Sequence, residues 1–336
     1  MKKKLAFVDY WHHEYTRSND FLRNELSKEF EITEFWWSKS SRMSLDELRK
    51  FDYIFFFQIM LPYRFVKKIS KKKIIWAPMY DGLNFRNFFF EWIFWKQIFD
   101  NNIKVISFSE KIREICIKNS IDHLHLKYFI KPQDFFDKTN YPYSILFWNR
   151  GDLKIKDWIE IFNPEDIKKI YYIDTPDPGK NNKEIEKNLL KKYKIEIIKR
   201  KFRENRNEFL EYLKKSDIFV APRKKEGIGL PIVEAMSYGK YIIGYDDSTL
   251  NEYILNSKIG KLFKKEKIKI NHKDILDSNN YRLENAKEKF ISWEKEKKLI
   301  NSFISKESKS NELSSFIKLS FLFDDLKNFI KSFLRR

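Results

Sequence analysis

Residues 216–244 read SDIFVAPRKKEGIGLPIVEAMSYGKYIIG. The run Asp217 to Ala221 is apolar at Ile218, Phe219, Val220 and Ala221 and stops at Pro222, as a buried strand does. A basic loop, Arg223, Lys224 and Lys225, leads into Glu226-Gly227-Ile228-Gly229-Leu230. Pro231 stands where a first helical residue belongs, and Gly239 ends the helix predicted over Pro231 to Tyr238. A second strand, Tyr241 to Gly244, follows at once. Two glycines just ahead of a helix let backbone N–H groups approach a ligand closely, and the positive helix end suits phosphate. Glu226 in the loop and Glu234, expected in the first helical turn, frame that place. A carboxylate there can accept hydrogen bonds from both hydroxyls of a ribose or hexose diol.

The same alternation extends outward in both directions. Upstream, Ile145 to Trp148, Ile167 to Ile173 and Lys194 to Ile198 read as strands, with helices over Asn182 to Tyr193 and Asn207 to Ser216. Periodicity lapses between Lys131 and Tyr143, where Pro132, Asp137, Asn140 and Pro142 mark a linker. Before it come strands at Leu5 to Val8, Glu31 to Trp37, Tyr53 to Met60, Lys73 to Ala77 and Lys104 to Phe108. Helices are predicted over Asn19 to Phe30, Ser44 to Phe51, Phe85 to Phe99 and Glu110 to Asn119. Ser44 with Glu47 three residues on forms a capping box. Strands alternating with helices imply parallel pairing and right-handed crossovers. The expected fold is α/β: two Rossmann-like βαβ domains, over residues 1–135 and 143–300, facing across a cleft that holds the ligand at the strands' carboxyl ends. A helical segment, 301–336, follows.

The chain of 336 residues has 67 Lys and Arg against 48 Asp and Glu, a net charge of +19. With 42% hydrophobic residues, 8 Gly and 9 Pro it is neither disordered nor collagen-like. A single cysteine, Cys116, rules out a disulfide framework and fits a reducing compartment. Met1-Lys2-Lys3-Lys4 passes into a strand without the apolar stretch of a signal peptide, and no apolar run reaches membrane-spanning length. A cytoplasmic protein is expected. The basic excess favours polyanionic neighbours, but the lysines are spread along the whole chain, so a codon-biased surface explains them equally.

Residues 226–243 closely resemble the donor-site motif of retaining GT-B glycosyltransferases of the group 1, or family 4, kind, E-G-F-G-L-P-x-x-E-A-M-A-x-G-x-P-V-V. The resemblance implies a two-domain GT-B fold and transfer of a sugar from a nucleotide-diphosphate sugar with retention of configuration. It implies that Glu226 contacts the transferred sugar, that the amides of Gly227, Ile228, Gly229 and Leu230 hold diphosphate and sugar, and that Glu234 binds the nucleotide ribose. Family members also open the second domain with a strand, an Arg and a nearby Lys that neutralise the diphosphate. Arg150 takes the first place here, and Lys154 and Lys156 both fit the second. Such a site uses no metal or other cofactor, and no Asp-x-Asp motif of the metal-dependent kind is present. Two departures limit the likeness. The Gly-rich loop after the first strand is replaced by Trp11 to Ser18, and Gly-Gly-x-x-Glu by Asp246 to Glu252, where Glu252 keeps a carboxylate.

By position, His12, His13 and Glu14 follow the first strand and Asp81 follows the fourth. His13 is a candidate to orient an acceptor hydroxyl, and Asp81 to bind the donor sugar or act as a base. Leu313, Phe316, Ile317, Leu322, Phe323, Leu326 and their neighbours to Leu334 form an apolar helical stripe opposite lysines and arginines. That stripe suits either an anionic membrane surface or the protein's own surface. The expected partners are a nucleotide-sugar donor, a glycan or lipid-linked acceptor of cell-surface polysaccharide synthesis, and an anionic membrane at its inner face. Two other readings stay open: a basic nucleic-acid-binding protein, although no nucleic-acid motif is present, and a GT-B fold kept only as a binding module.

Overall fold

Strands covered on both faces read as continuous apolar runs, and the runs at Leu5–Val8, Tyr53–Phe57 and Ile218–Val220 are buried along their length. The computed structural model describes residues 2–37, 44–61, 63–69, 73–83, 88–133, 138–177, 180, 184–199, 206–264 and 269–307. The chain divides into two units, Met1–Leu126 with the chain from Lys298 on, and Lys127–Lys297.

The first unit is built on six parallel strands: β1 (Lys3–Tyr10), β2 (Phe30–Trp37), β3 (Tyr53–Phe57), β4 (Lys73–Ala77), β5 (Lys104–Ser107) and β6 (His123–His125), in the order β2-β1-β3-β4-β5-β6. Ala6, Val8, Ile54 and Phe56 point to one core, filled by Trp76 and Trp95. This is the flavodoxin-like order of a doubly wound sheet, with the reversal between β1 and β3. Its helices include Asp20–Leu26, Phe88–Asp100 and Glu110–Lys118. Leu45–Leu48 carries the capping box expected at Ser44 and Glu47.

The second unit holds β7 (Tyr143–Asn149), β8 (Ile167–Asp174), β9 (Ile195–Lys199), β10 (Ile218–Val220), β11 (Tyr241–Tyr245) and β12 (Gly260–Phe263), ordered β12-β11-β10-β7-β8-β9 and parallel throughout. Counted from β7 this is 3-2-1-4-5-6, the Rossmann order, with its reversal between β7 and β10. Tyr143, Ile145 and Phe147 alternate into a core with Ile170, Tyr172, Ile218 and Val220. Arg282 is buried beneath this unit, donating to the carbonyls of Gly239 (2.7 Å) and Ile275 (2.9 Å) and to Thr139 Oγ1 (2.9 Å).

The second unit closes on the helix Asn279–Glu296, and a separate helix, Leu299–Ser305, follows it. The break coincides with the passage of the chain back to the first unit. There Asn301 Nδ2 donates to the Glu25 carbonyl (3.0 Å). The buried Lys104 Nζ donates to the carbonyls of Phe303 (2.6 Å) and Lys306 (2.5 Å). A cation against the last carbonyls of a helix is favoured by its dipole. The apolar stripe beyond Leu313 lies outside the described residues. Among the described residues no helix is long and apolar enough to cross a membrane.

Candidate active site

In a doubly wound sheet ligands bind outside the carboxyl ends of the strands where the order reverses. In the second unit three loops meet at that place, those after β7, β8 and β10. The first begins at Asn149, whose Nδ2 donates to Asp174 Oδ1 (2.9 Å) and whose Oδ1 accepts from the Gly151 amide (2.9 Å). Gly151 has φ +80°, and a Cβ there would come within 2.7 Å of the Lys180 Cβ, so this turn is open only to glycine. The turn delivers Arg150 to the carboxyl end of β7, with its guanidinium 4.5 Å from the Trp148 ring.

Arg150 Nε donates to Asp177 Oδ1 (2.6 Å), and Arg223 Nη2 donates to Asp177 Oδ2 (2.6 Å). One carboxylate thus joins the loops after β7, β8 and β10. Arg223 Nη1 lies 3.8 Å from Glu226 Oε2. The side chains are mostly covered, at 16% exposed for Arg150, 17% for Asp177 and 8% for Glu226. Burial, then the neighbouring Arg223 cation, pull the Arg150 guanidinium below its ordinary value, against Asp177 and Glu226. Asp152 completes the join by accepting from the Lys224 amide (2.9 Å).

Glu226, Gly227, Ile228 and Gly229 are buried. Gly229 is the N-cap of the helix Leu230–Ser237, with φ +72° and no side chain capping the first turn. A Cβ at Gly229 would meet Ile232 Cδ1 at 2.9 Å, so glycine serves both the turn and the close packing. The helix starts at Leu230, one residue before the expected Pro231. Glu234 therefore lies in the second turn, not the first as its distance from Pro231 suggested. It is buried and paired with Arg206 Nη2. Burial pushes its carboxyl above the ordinary value, and Arg206 opposes that.

The loop is held from behind by Thr249, a fully buried residue with φ +75°. Its hydroxyl donates to the Glu226 carbonyl (2.8 Å) and reaches that of Gly227 (3.4 Å). Glu252 accepts from Ser248 Oγ (2.7 Å) and the Thr249 amide (3.0 Å) and is paired with Lys127. It fixes the Thr249 turn.

Arg150, Glu226 and the Gly227 to Leu230 loop are thus brought together, with Glu234 on the helix that follows. Lys154 and Lys156 are exposed, at the N-cap and in the first turn of Ile155–Trp158, while the cation that shares the carboxylate with Arg150 is Arg223. Arg223 was read only as part of a basic loop. Asp177, Arg206 and Thr249 were not singled out. The sequence signal for Asp177 was its place between Pro176 and Pro178, a rigid turn directly after a strand.

His13 and Asp81 belong to the first unit. His13 is buried in the short helix His12–Thr16 after β1, with Nδ1 2.7 Å from Asp9 Oδ2. The fully buried Asp9 also accepts from Asn19 Nδ2 (2.6 Å) and the Tyr10 amide (2.6 Å), and burial pushes its carboxyl up. Asp81 is half-buried in the turn Tyr80–Gly82 after β4. Among the described residues no group of three or more His, Cys, Asp or Glu is placed to hold a metal ion.

Two parallel α/β units, one in Rossmann order with a glycine-capped helix and a buried arginine at its reversal point, define the GT-B class of architecture. Residues 178–306 match the family model of glycosyl transferases group 1. Solved structures share the fold. HepE of Anabaena, in complex with UDP, is 10% identical over 90% of this chain and 98% of its own, with a TM-score of 0.54. Sucrose-phosphate synthase from Thermosynechococcus elongatus is 10% identical over 99% and 100%, at 0.54. WaaG, a glycosyltransferase involved in lipopolysaccharide biosynthesis, is 10% identical over 94% and 98%, at 0.50. The sequence matches none of the curated proteins.

Proposed function

We propose that this glycosyltransferase moves a sugar, with retention of configuration, from a nucleotide-diphosphate sugar to a hydroxyl of a glycan or lipid-linked acceptor in bacterial cell-surface polysaccharide synthesis. The observation that carries the reading is the covered Arg150 guanidinium, joined through Asp177 to Arg223 and so to Glu226 ahead of the Gly229-capped helix, at the point where the sheet order reverses. Sugar transfer builds negative charge on the leaving diphosphate. A preset cation and backbone amides stabilise that charge where it develops, in a site poor in water. Arg150 and the amides of Gly227, Ile228, Gly229 and Leu230 take this role, Lys154 or Lys156 reaches the outer phosphate, and no metal is needed. Glu226 binds the sugar and Glu234 the ribose hydroxyls. HepE, which shares the fold, was solved with UDP, which makes uridine diphosphate the first nucleotide to test.

On the acceptor side, His13 Nδ1 is engaged by Asp9 Oδ2, which leaves Nε2 as the ring nitrogen that meets a sugar hydroxyl. Asp81 binds sugar or takes a proton at the same rim. The net charge of +19 draws the protein to the anionic inner face of the cytoplasmic membrane.

A panel of nucleotide sugars, screened by melting temperature and by transfer in the presence of EDTA, tests this reading. A true donor raises the melting temperature by mass action, and Glu226→Ala abolishes transfer while the protein stays folded. If no nucleotide sugar shifts the melting temperature and none is turned over, the reading is wrong.

A further inference from the structure

We propose that Arg223 is a second arginine of the diphosphate site, beside Arg150, and that Asp177 is a built-in placeholder for the diphosphate, displaced when the donor binds. The proposal rests on the donor reading above and extends it to two residues outside the matched motif.

Both oxygens of the Asp177 carboxylate are in use, Oδ1 by Arg150 Nε and Oδ2 by Arg223 Nη2, each at 2.6 Å. Two terminal oxygens of a phosphate offer the same fork to the same two guanidinium groups, which is the geometry arginine selects. Charge points the same way. Arg150 and Arg223 carry two positive charges in a largely covered place, where like charges repel more strongly than in water. Without an anion between them the empty site would hold two neighbouring cations. Asp177 supplies that anion in the absence of substrate. A diphosphate brings its own negative charges, and once it is seated the carboxylate only repels it.

The carboxylate is also placed to leave. It stands in the turn after β8, between the two arginines, and is 17% exposed. Its backbone is anchored separately, through the Asp177 amide to the Arg150 carbonyl (3.1 Å) and the Lys180 amide to the Asp177 carbonyl (3.0 Å). Rotation of one side chain frees both arginines without moving the loop. The returning carboxylate then competes with the product nucleotide and speeds its departure.

A placeholder has a signature that a purely structural residue lacks: removing it weakens the empty protein and strengthens ligand binding. The test uses the full chain and uridine diphosphate, with melting temperature and calorimetric Kd measured for wild type, Asp177→Asn and Arg223→Gln. Asp177→Asn is expected to melt below wild type without nucleotide and to recover most of that gap in saturating nucleotide. It is expected to bind uridine diphosphate about tenfold more tightly, the scale of one charge-assisted hydrogen bond. Arg223→Gln is expected to bind about tenfold more weakly on the same scale. If Asp177→Asn does not fold, Asp177→Ser is measured instead, with the same signs expected. Unchanged or weaker nucleotide binding by a folded Asp177 variant overturns the placeholder role, and full affinity in Arg223→Gln overturns the second arginine. Failure of the wild type to bind any of the uridine, adenosine or guanosine diphosphates would remove the donor reading itself, and this proposal with it.

Discussion

Arg150 and Asp177 hold each other at two levels. The Asp177 amide donates to the Arg150 carbonyl at 3.1 Å, and the Arg150 side chain donates back to the Asp177 carboxylate at 2.6 Å. The two residues are 27 positions apart and sit at the ends of neighbouring strands, β7 and β8. The backbone link sets the spacing of the loops, and the side-chain link sets the direction in which the guanidinium points.

That direction matters more than the charge. Arg150→Lys keeps a cation but loses the planar fork and its place against Trp148. It is expected to weaken uridine diphosphate binding about tenfold, the loss of one charge-assisted hydrogen bond. Calorimetry measures this, and an affinity equal to wild type would show that charge alone suffices.

Thr249→Val keeps the shape of the side chain and removes its hydroxyl. The buried Glu226 carbonyl then loses a donor at 2.8 Å, a loss of about 1–3 kcal/mol for an unsatisfied buried group. Urea denaturation should show that loss, and the KM for the donor should rise because the loop carrying Glu226 loosens. A variant as stable as wild type would mean the hydroxyl does not support the loop.

Glu234 should be a residue that costs stability. Burial raises its carboxyl above the ordinary 4.5, so the native state keeps the proton to higher pH than the unfolded chain. The stability from that proton is fully present below the unfolded value and is lost as pH rises through the native one. Glu234→Gln removes this loss. It also removes a pair with Arg206, whose side chain is 56% exposed and whose contribution is correspondingly small. Denaturation from pH 4 to pH 8 should find the variant at least as stable as wild type near neutrality and flatter with pH, while donor binding weakens. A large loss of stability at neutral pH would mark the ion pair as structural.

Lys104→Met keeps the aliphatic stem and removes the ammonium that meets the Phe303 and Lys306 carbonyls. The expected loss is about 2 kcal/mol. Amide exchange should quicken over residues 299–307 and stay unchanged in residues 127–297. Equal exchange in both proteins would show that the helix is held by its apolar face alone.

The sheet was legible because its strands are buried on both faces and spell themselves as unbroken apolar runs, Tyr53 to Phe57 being the plainest. Two of the four edge strands were not. His123–His125 alternates polar and apolar, and Gly260–Phe263 is short and begins with glycine. The loop from Glu226 to Leu230 could be read because glycine, proline and carboxylate fall there in one continuous order. Asp177 could not, since its meaning comes from residues 150 and 223, which only the sheet brings to its side. Lys154 and Lys156 both stand at a fitting distance along the chain from Arg150 and both are exposed, so spacing alone does not choose between them.

Lys104 and Asn301 carry one more consequence, for anyone wishing to cut the protein apart. The unit that contains Glu226 and Glu234 is one stretch of chain, from Lys127 to Lys297, so a single cut at each end delimits it. Its counterpart is not: an N-terminal fragment ending near residue 126 would lack the helix that covers Lys104 and the Glu25 carbonyl, and would need that peptide supplied separately.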